Sequence, residues 1–306
     1  LENATGAEII SGISVIDTHL RQPEIKRTKT VCTYCGVGCS FEMWTRDRHL
    51  LKVQPVIDAP VNGISTCVKG KFAWDFINSP ERLTTPLIRE NDRFRPASWE
   101  EALTLVAQRL LAIRDETGPD SIGFIGSSKG SNEEAYLTQK IARLIIGTNS
   151  VDNSSRYCQN PATEGLFRTV GYGGDAGTIH DLEQAELIVI VGSNTAENHP
   201  VIASKLKSAR KHRGQKLLVV DPRRHEMAER ADLHLRIHPG TDLVWASAMS
   251  RYMFDHGYAD EAFLAARVND VEAYRHSLAP FTLDYAAQIT GIQENTLREA
   301  AELIGQ

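Results

Sequence analysis

The 306 residues carry 42% apolar, 24% charged and 7% aromatic side chains, a balance that excludes an intrinsically disordered chain, a collagen-like repeat and a disulfide-dense mini-protein. Lys and Arg total 34 against 39 Asp and Glu, a net charge of −5 with no concentrated basic face, so nucleic acid is not expected as a partner. No apolar run approaches the roughly 20 residues of a membrane span, which leaves a soluble or peripheral chain of about two globular units. The first residue is Leu1, from which a cut or processed start is expected.

Residues 1–27 show no sustained hydrophobic period and end in the basic Lys26-Arg27-Thr28-Lys29, and read as a linker or lead-in segment. Residues 28–87 read as a small cluster-binding domain, with strand-like runs at Ser40–Trp44 and Leu50–Val53. Four of the five cysteines fall here: Cys32, Cys35 and Cys39 in a C-x2-C-x3-C pattern, then Cys67 after 27 intervening residues. Three thiolates on one tight loop plus one from a distant turn can hold the four corners of a 4Fe-4S cubane. Gly36 and Gly38 would let the backbone bend close to the sulfur atoms. Tetrahedral zinc is the rival, but it more often uses two C-x2-C knuckles, and Cys67 has no second cysteine beside it. Lys69, two residues on, taken alone is a solvated surface lysine. Beside a cluster, its charge would lower the cost of adding an electron.

Residues 88–152 read as a first, incomplete α/β segment. Ser98-Trp99-Glu100-Glu101 has the form of a capping box, Leu103, Val106, Leu110 and Ile113 follow at helical spacing, and Gly118-Pro119 ends the helix. Ser121–Gly126 reads as a strand, and Ser131-Asn132-Glu133-Glu134 as a second box opening a helix that stops near Gly147. Strand alternating with helix predicts an α/β body.

Residues 153–306 form the last expected domain. Cys158 lies in the polar stretch Asn153–Pro161, where position alone favours an inert residue over a nucleophile or a soft-metal ligand, although Arg156 would favour a thiolate. Leu187–Val191, Lys216–Val220 and Leu233–Ile237 read as strands of a parallel sheet, the first buried on both faces, with a helix at Ala203–His212 and amphipathic helices at 242–256 and 293–304. Asn194, Glu197 and His199 after the first strand, Asp221 and Arg223 after the second, and Gly240 to Asp242 after the third would meet at the carboxyl ends of the strands, where nucleotides bind. Ordinary turn formers are the bland alternative. The usual G-x-G-x-x-G fingerprint is missing, which disfavours NAD, and His180, His225, His234 and His238 read as ordinary polar residues.

Taken together, Cys32-x2-Cys35-x3-Cys39, Cys67-Val68-Lys69-Gly70, Trp74-Asp75-Phe76, the run Arg95 to Leu103, Gly147-Thr148-Asn149-Ser150, Cys158, Gly192 to Pro200 and Asp221-Pro222-Arg223-Arg224 resemble the molybdenum or tungsten bis-pterin oxidoreductases, and within them the formate dehydrogenase catalytic subunits. The resemblance covers residues 28–306. It implies Rossmann-like parallel-sheet domains behind a 4Fe-4S domain, with Cys32, Cys35, Cys39 and Cys67 on the cluster. Cys158 would be the ligand of molybdenum or tungsten, and Lys69 would lie on the electron path between cluster and pterin. Gly192, Asn194, Glu197, Asn198, His199, Asp221, Pro222, Arg223, Gly240 and Asp242 would bind one guanine dinucleotide of a bis-molybdopterin guanine dinucleotide. The implied reaction is oxidation of formate to carbon dioxide in the cytoplasm, with electrons passing to an iron-sulfur or flavin subunit that reduces NAD. Gln159 stands where many formate dehydrogenases have histidine, so proton handling or substrate would differ. The family's catalytic subunits are longer, which makes this chain a partial subunit. A nitrate reductase-like pterin enzyme, or a pterin-free electron-transfer subunit like the large iron-sulfur subunit of NADH dehydrogenase, is the alternative.

Overall fold

In a computed structural model, which describes residues 24–306, Lys26–Val31 (β1), Ser40–Arg46 (β2) and His49–Pro55 (β3) form an antiparallel sheet in that order. The strand β1 occupies the last residues of the expected lead-in, whose residues 1–23 lie outside the described ones. Its lysines and threonines alternate along an exposed edge, where cations discourage further pairing. Asp47 and Arg48, both at positive φ, turn β2 into β3. Phe41, Leu50, Val53 and Trp74 form the small core beneath the sheet, with Cys32 and Met43 packed on it. The short helix Val68–Phe72 (α1) follows Cys67.

Two compact units result, one made of residues up to Asn78 together with Gly177–Gln306, the other of Ser79–Ala176. This grouping differs from the chain-order division at 87/88 and 152/153, because Val37, Cys39 and Cys67 pack with Ile179 and Val201 of the stretch Gly177–Gln306.

In the second unit, Leu87–Glu90 (β4) and Arg93–Pro96 (β5) make a hairpin. Trp99–Thr117 (α2) starts at Ser98, whose hydroxyl accepts the Glu101 N–H at 3.1 Å. The expected box is only half formed, because the Glu101 carboxylate is drawn to Arg95. Pro119–Ser121 closes a 3-10 turn, so the next strand shortens to Phe124–Gly126 (β6). Asn132–Lys140 (α3) opens on a reciprocal box between Ser131 and Glu134, continues as a π-helical turn over Ile141–Ile146 and stops at Gly147, whose φ is 90°. Val151–Asn153 (β7) pairs parallel with β6, and Asn160–Val170 (α4) ends the unit.

The first unit resumes with Ile179–Gln184 (α5), Leu187–Val191 (β8), Thr195–Asn198 (α6), Pro200–Arg213 (α7), Lys216–Val220 (β9), Glu226–Glu229 (α8) and Leu233–Leu235 (β10). The three strands form a parallel sheet in the order β10-β9-β8. Helices Asp242–Asp255 (α9), Glu261–Arg267 (α10), Val271–Ser277 (α11), Leu283–Thr290 (α12) and Glu294–Gly305 (α13) complete it. Strand β9 is buried on both faces: Leu217 and Val219 pack with Ile188, Ile190, Leu206 and Met227, while Leu218 and Val220 pack with Leu235, Trp245 and Leu297. The same burial was expected of β8 and is not found. Ile188 and Ile190 are buried, but Val189 is 38% and Val191 47% exposed, because β8 is an edge strand and the layer of α9 and α13 covers the opposite, β10 side. Among the described residues no helix is long and apolar enough to cross a membrane.

Leu297 is fully buried between these helices and the sheet. Leu297→Ala is expected to cost about 2–5 kcal/mol by transfer and cavity terms together. A denaturant midpoint shifted by less than 1 kcal/mol-equivalent, outside that range, would contradict this account of the core.

Candidate functional site

Cys32 follows β1 directly, and its N–H donates to the carbonyl of Cys39 at 2.8 Å, closing a loop that carries Cys35. Of the two glycines in that loop only Gly38 needs to be one, at φ 73°. Cys67 arrives at the head of α1, and α1 lies close enough that a Cβ on Gly70 would stand 3.5 Å from the Cys32 sulfur. The four thiols line one pocket, walled by Val37, Phe41 and, from α7, Val201. All are free cysteines, with Cys39 buried and the others half-buried. Burial pushes the Cys39 thiol up to about 11, and Cys32, Cys35 and Cys67 add to the shift. Four thiolates are therefore stable together only around compensating positive charge.

Among the described residues no three His, Cys, Asp or Glu side chains gather tightly enough to hold a single metal ion. The separated corners of an iron-sulfur cubane suit four thiols spread around a shared pocket.

Lys69, in α1, donates from Nζ to the carbonyl of Glu197 at 3.1 Å. The cluster loop is thus tied to the loop after β8. That loop and those after β9 and β10 leave the same edge of the parallel sheet, as their strand directions require. Asn194 is buried, and its Oδ1 has no hydrogen-bond partner. Asp221 is buried too, with one carboxylate oxygen accepting the Arg223 N–H at 2.7 Å. Two buried acceptors at strand ends, one of them unpaired, fit a ligand rich in N–H donors. Gly192, at φ 58°, Glu197, Asn198, Arg223, Gly240 and Asp242 are exposed around them, while His199 and Pro222 are half-buried. The Pro222 carbonyl accepts from Arg236 at 3.0 Å.

Two histidines taken as ordinary prove to lie against Asp221. His234 Nε2 lies 2.8 Å from the Asp221 carbonyl, and His225 places Nε2 3.6 Å from the carboxylate, with no hydrogen-bond partner of its own. His225 Nδ1 accepts the Ala228 N–H at 3.4 Å. No sequence signal distinguished these two from the exposed His180 and His238.

Cys158 and Gln159 belong to the second unit. Cys158 stands where the 3-10 turn Ser154–Tyr157 gives way to α4, with its thiol exposed and its N–H on the Ser155 carbonyl at 3.1 Å. Gln159, also exposed, precedes α4 and accepts the Thr163 N–H at 2.8 Å on its backbone carbonyl. The expected help from Arg156 is not seen, because its guanidinium is paired with Asp152.

Residues 25–79 match the molybdopterin oxidoreductase Fe4S4 domain, and residues 82–302 match the molybdopterin oxidoreductase family. The chain is 59% identical over 302 residues to "Probable oxidoreductase YjgC" of Bacillus subtilis strain 168, covering 99% of this chain and 31% of that protein. It is 57% identical over 295 residues to "Putative formate dehydrogenase YrhE" of the same strain, covering 96% and 30%. The chain therefore spans about a third of the length of these relatives. Among solved structures, acetylene hydratase from Pelobacter acetylenicus superimposes with a TM-score of 0.71 at 26% identity, over 90% of this chain and 38% of that one.

Proposed function

The chain belongs to the molybdopterin oxidoreductase family, and from that premise we propose that it forms part of a formate dehydrogenase catalytic subunit, oxidising formate to carbon dioxide. The observation that carries the reading is the continuity from the four-cysteine pocket, through Lys69, to the Glu197 carbonyl in the strand-end loop. When bound, a molybdenum or tungsten bis-pterin centre supplies the two-electron chemistry and a 4Fe-4S cluster the single-electron steps.

The chain's own residues have separate tasks in this reading. Cys32, Cys35, Cys39 and Cys67 hold the cluster. Cys158 ligates the heavy metal through its thiolate, the ligand a soft high-valent centre prefers. Asn194 and Asp221 accept hydrogen bonds from a guanine dinucleotide, and Gly192, Glu197, Asn198, His199, Pro222, Arg223, Gly240 and Asp242 surround it, Arg223 offering a cation to its diphosphate. Gln159 is neutral across the physiological range, so it orients substrate by hydrogen bonding and the substrate proton is taken elsewhere. The proposed setting is the cytoplasm, with electrons leaving to an iron-sulfur or flavin NAD-reducing subunit.

Formate as substrate rests on the name of the 57% identical relative. The fold alone does not choose it, since acetylene hydratase shares that fold. Anaerobic full-length protein assayed with a redox dye separates the readings. Formate-dependent dye reduction is the expected result, whereas nitrate-dependent oxidation of the reduced dye with no response to formate would replace it by the nitrate reductase-like alternative.

A further inference from the structure

Asn62 lies in the turn between β3 and α1 and is 3% exposed. Its Oδ1 accepts the Ser40 N–H at 2.8 Å, and the two Nδ2 hydrogens are shared among the carbonyls of Ser65 at 2.8 Å, Gly63 at 3.1 Å and Ser40 at 3.2 Å. The Ser65 N–H returns to the Asn62 carbonyl at 2.9 Å. Ser40 is the residue after Cys39, whose carbonyl is already bound to the Cys32 N–H, and Ser65 comes two residues before Cys67. One buried carboxamide therefore joins the loop bearing three thiols to the turn bearing the fourth.

We propose that Asn62 is the positioning residue of the cluster site, fixing the Cys67 corner against the Cys32–Cys39 loop so that the four thiols stand at cluster spacing. The proposal rests on the reading of those cysteines as cluster ligands. One feature of the site calls for such a clasp: between Ser40 and Ser65 the chain runs through the β2–β3 hairpin and the turn after it, and the Asn62 side chain bonds the two ends of that stretch together.

The residue type is also specific. Only a carboxamide offers an acceptor and two donors on so short a stem. Asp has the same shape but would set a second oxygen against three carbonyls. Leu fills the same volume but leaves the Ser40 N–H and those carbonyls without the partner that burial demands. Residues that orient the ligands of a metal centre typically contribute about 10- to 100-fold to its retention.

The test uses anaerobic, cluster-loaded full-length protein. Asn62→Asp and Asn62→Leu are compared with the parent and with Leu297→Ala, a destabilised control in a separate core of the same unit. The readouts are the rate of iron loss to a chelator and the electron paramagnetic resonance spectrum of the reduced cluster. Both Asn62 variants are expected to lose iron roughly 10- to 100-fold faster with an altered spectrum, while Leu297→Ala keeps the parental values of both. Parental rate and spectrum in the Asn62 variants would overturn the proposal, as would equal acceleration in Leu297→Ala, which would make the effect one of general stability. Should neither variant fold, hydrogen exchange in the parent decides: a strongly protected Ser40 amide supports the clasp, and rapid exchange there refutes it. A parent protein without a 4Fe-4S signal would instead refute the cluster reading itself.

Discussion

Cys158→Ala is expected to lower formate-dependent dye reduction by roughly 10³-fold or more, the scale on which removal of a central catalytic group falls, while leaving the iron content of the protein unchanged. Cys158 belongs to the second unit and the other four cysteines to the first, and its thiol is exposed at the junction between a 3-10 turn and α4. A buried cysteine is shielded from chemistry, whereas an exposed thiol is open to ligation or nucleophilic attack. Alanine removes the sulfur while the turn's own hydrogen bond, from the Cys158 N–H to the Ser155 carbonyl, is retained. Cys158→Ser keeps the size and substitutes a harder donor, and is expected to be almost as inactive. Steady-state assays alongside elemental analysis check the pair. An alanine variant retaining a tenth or more of the parental rate, well short of the loss expected on removing a ligand, would make Cys158 inert.

Cys67→Ala is expected to remove the reduced-cluster signal essentially completely, because the three remaining thiols all lie on the one loop between Cys32 and Cys39. Their shared pocket would then lose the corner supplied by the head of α1. The apolar wall of that pocket, where Val37 and Cys39 pack with Val201 of α7 and Ile179 of α5, remains intact, so the variant should stay folded. Cys67 sits two residues from Lys69, and losing the cluster is expected to stop electron delivery to a partner protein even where the heavy metal is retained. Spectroscopy of the dithionite-reduced variant checks this outcome. An unchanged signal would exclude Cys67 from the cluster.

The chemistry of this chain is unusually local in the sequence, and that is why its cysteines could be read. The spacing of Cys32, Cys35, Cys39 and Cys67 carries the cluster geometry, and the apolar run Lys216–Val220 ending at Asp221 carries the position of a strand-end loop. Residues that act across the fold left no such trace. Asn62 drew no notice in the sequence, because its clasp on Ser40 depends on pairing over 22 positions. His225 and His234 lie against Asp221 only when β9 and β10 are in place.

Other features were misread for physical reasons. The hydrophobicity of Leu187–Val191 did not reveal that β8 is an edge strand, since strand order is a long-range property. The polar stretch Asn153–Pro161 did not reveal the helix that starts within it, although proline is at home in the first turn of a helix and here opens α4. The helices α10, α11 and α12 drew no reading at all.

The most direct test of the account is the metal and nucleotide content of anaerobically prepared full-length protein, by elemental analysis for iron, molybdenum and tungsten together with release of GMP. The account predicts about four or more irons per chain, with molybdenum or tungsten and guanine nucleotide. Iron alone, with neither heavy metal nor GMP, would contradict it and leave a pterin-free electron carrier.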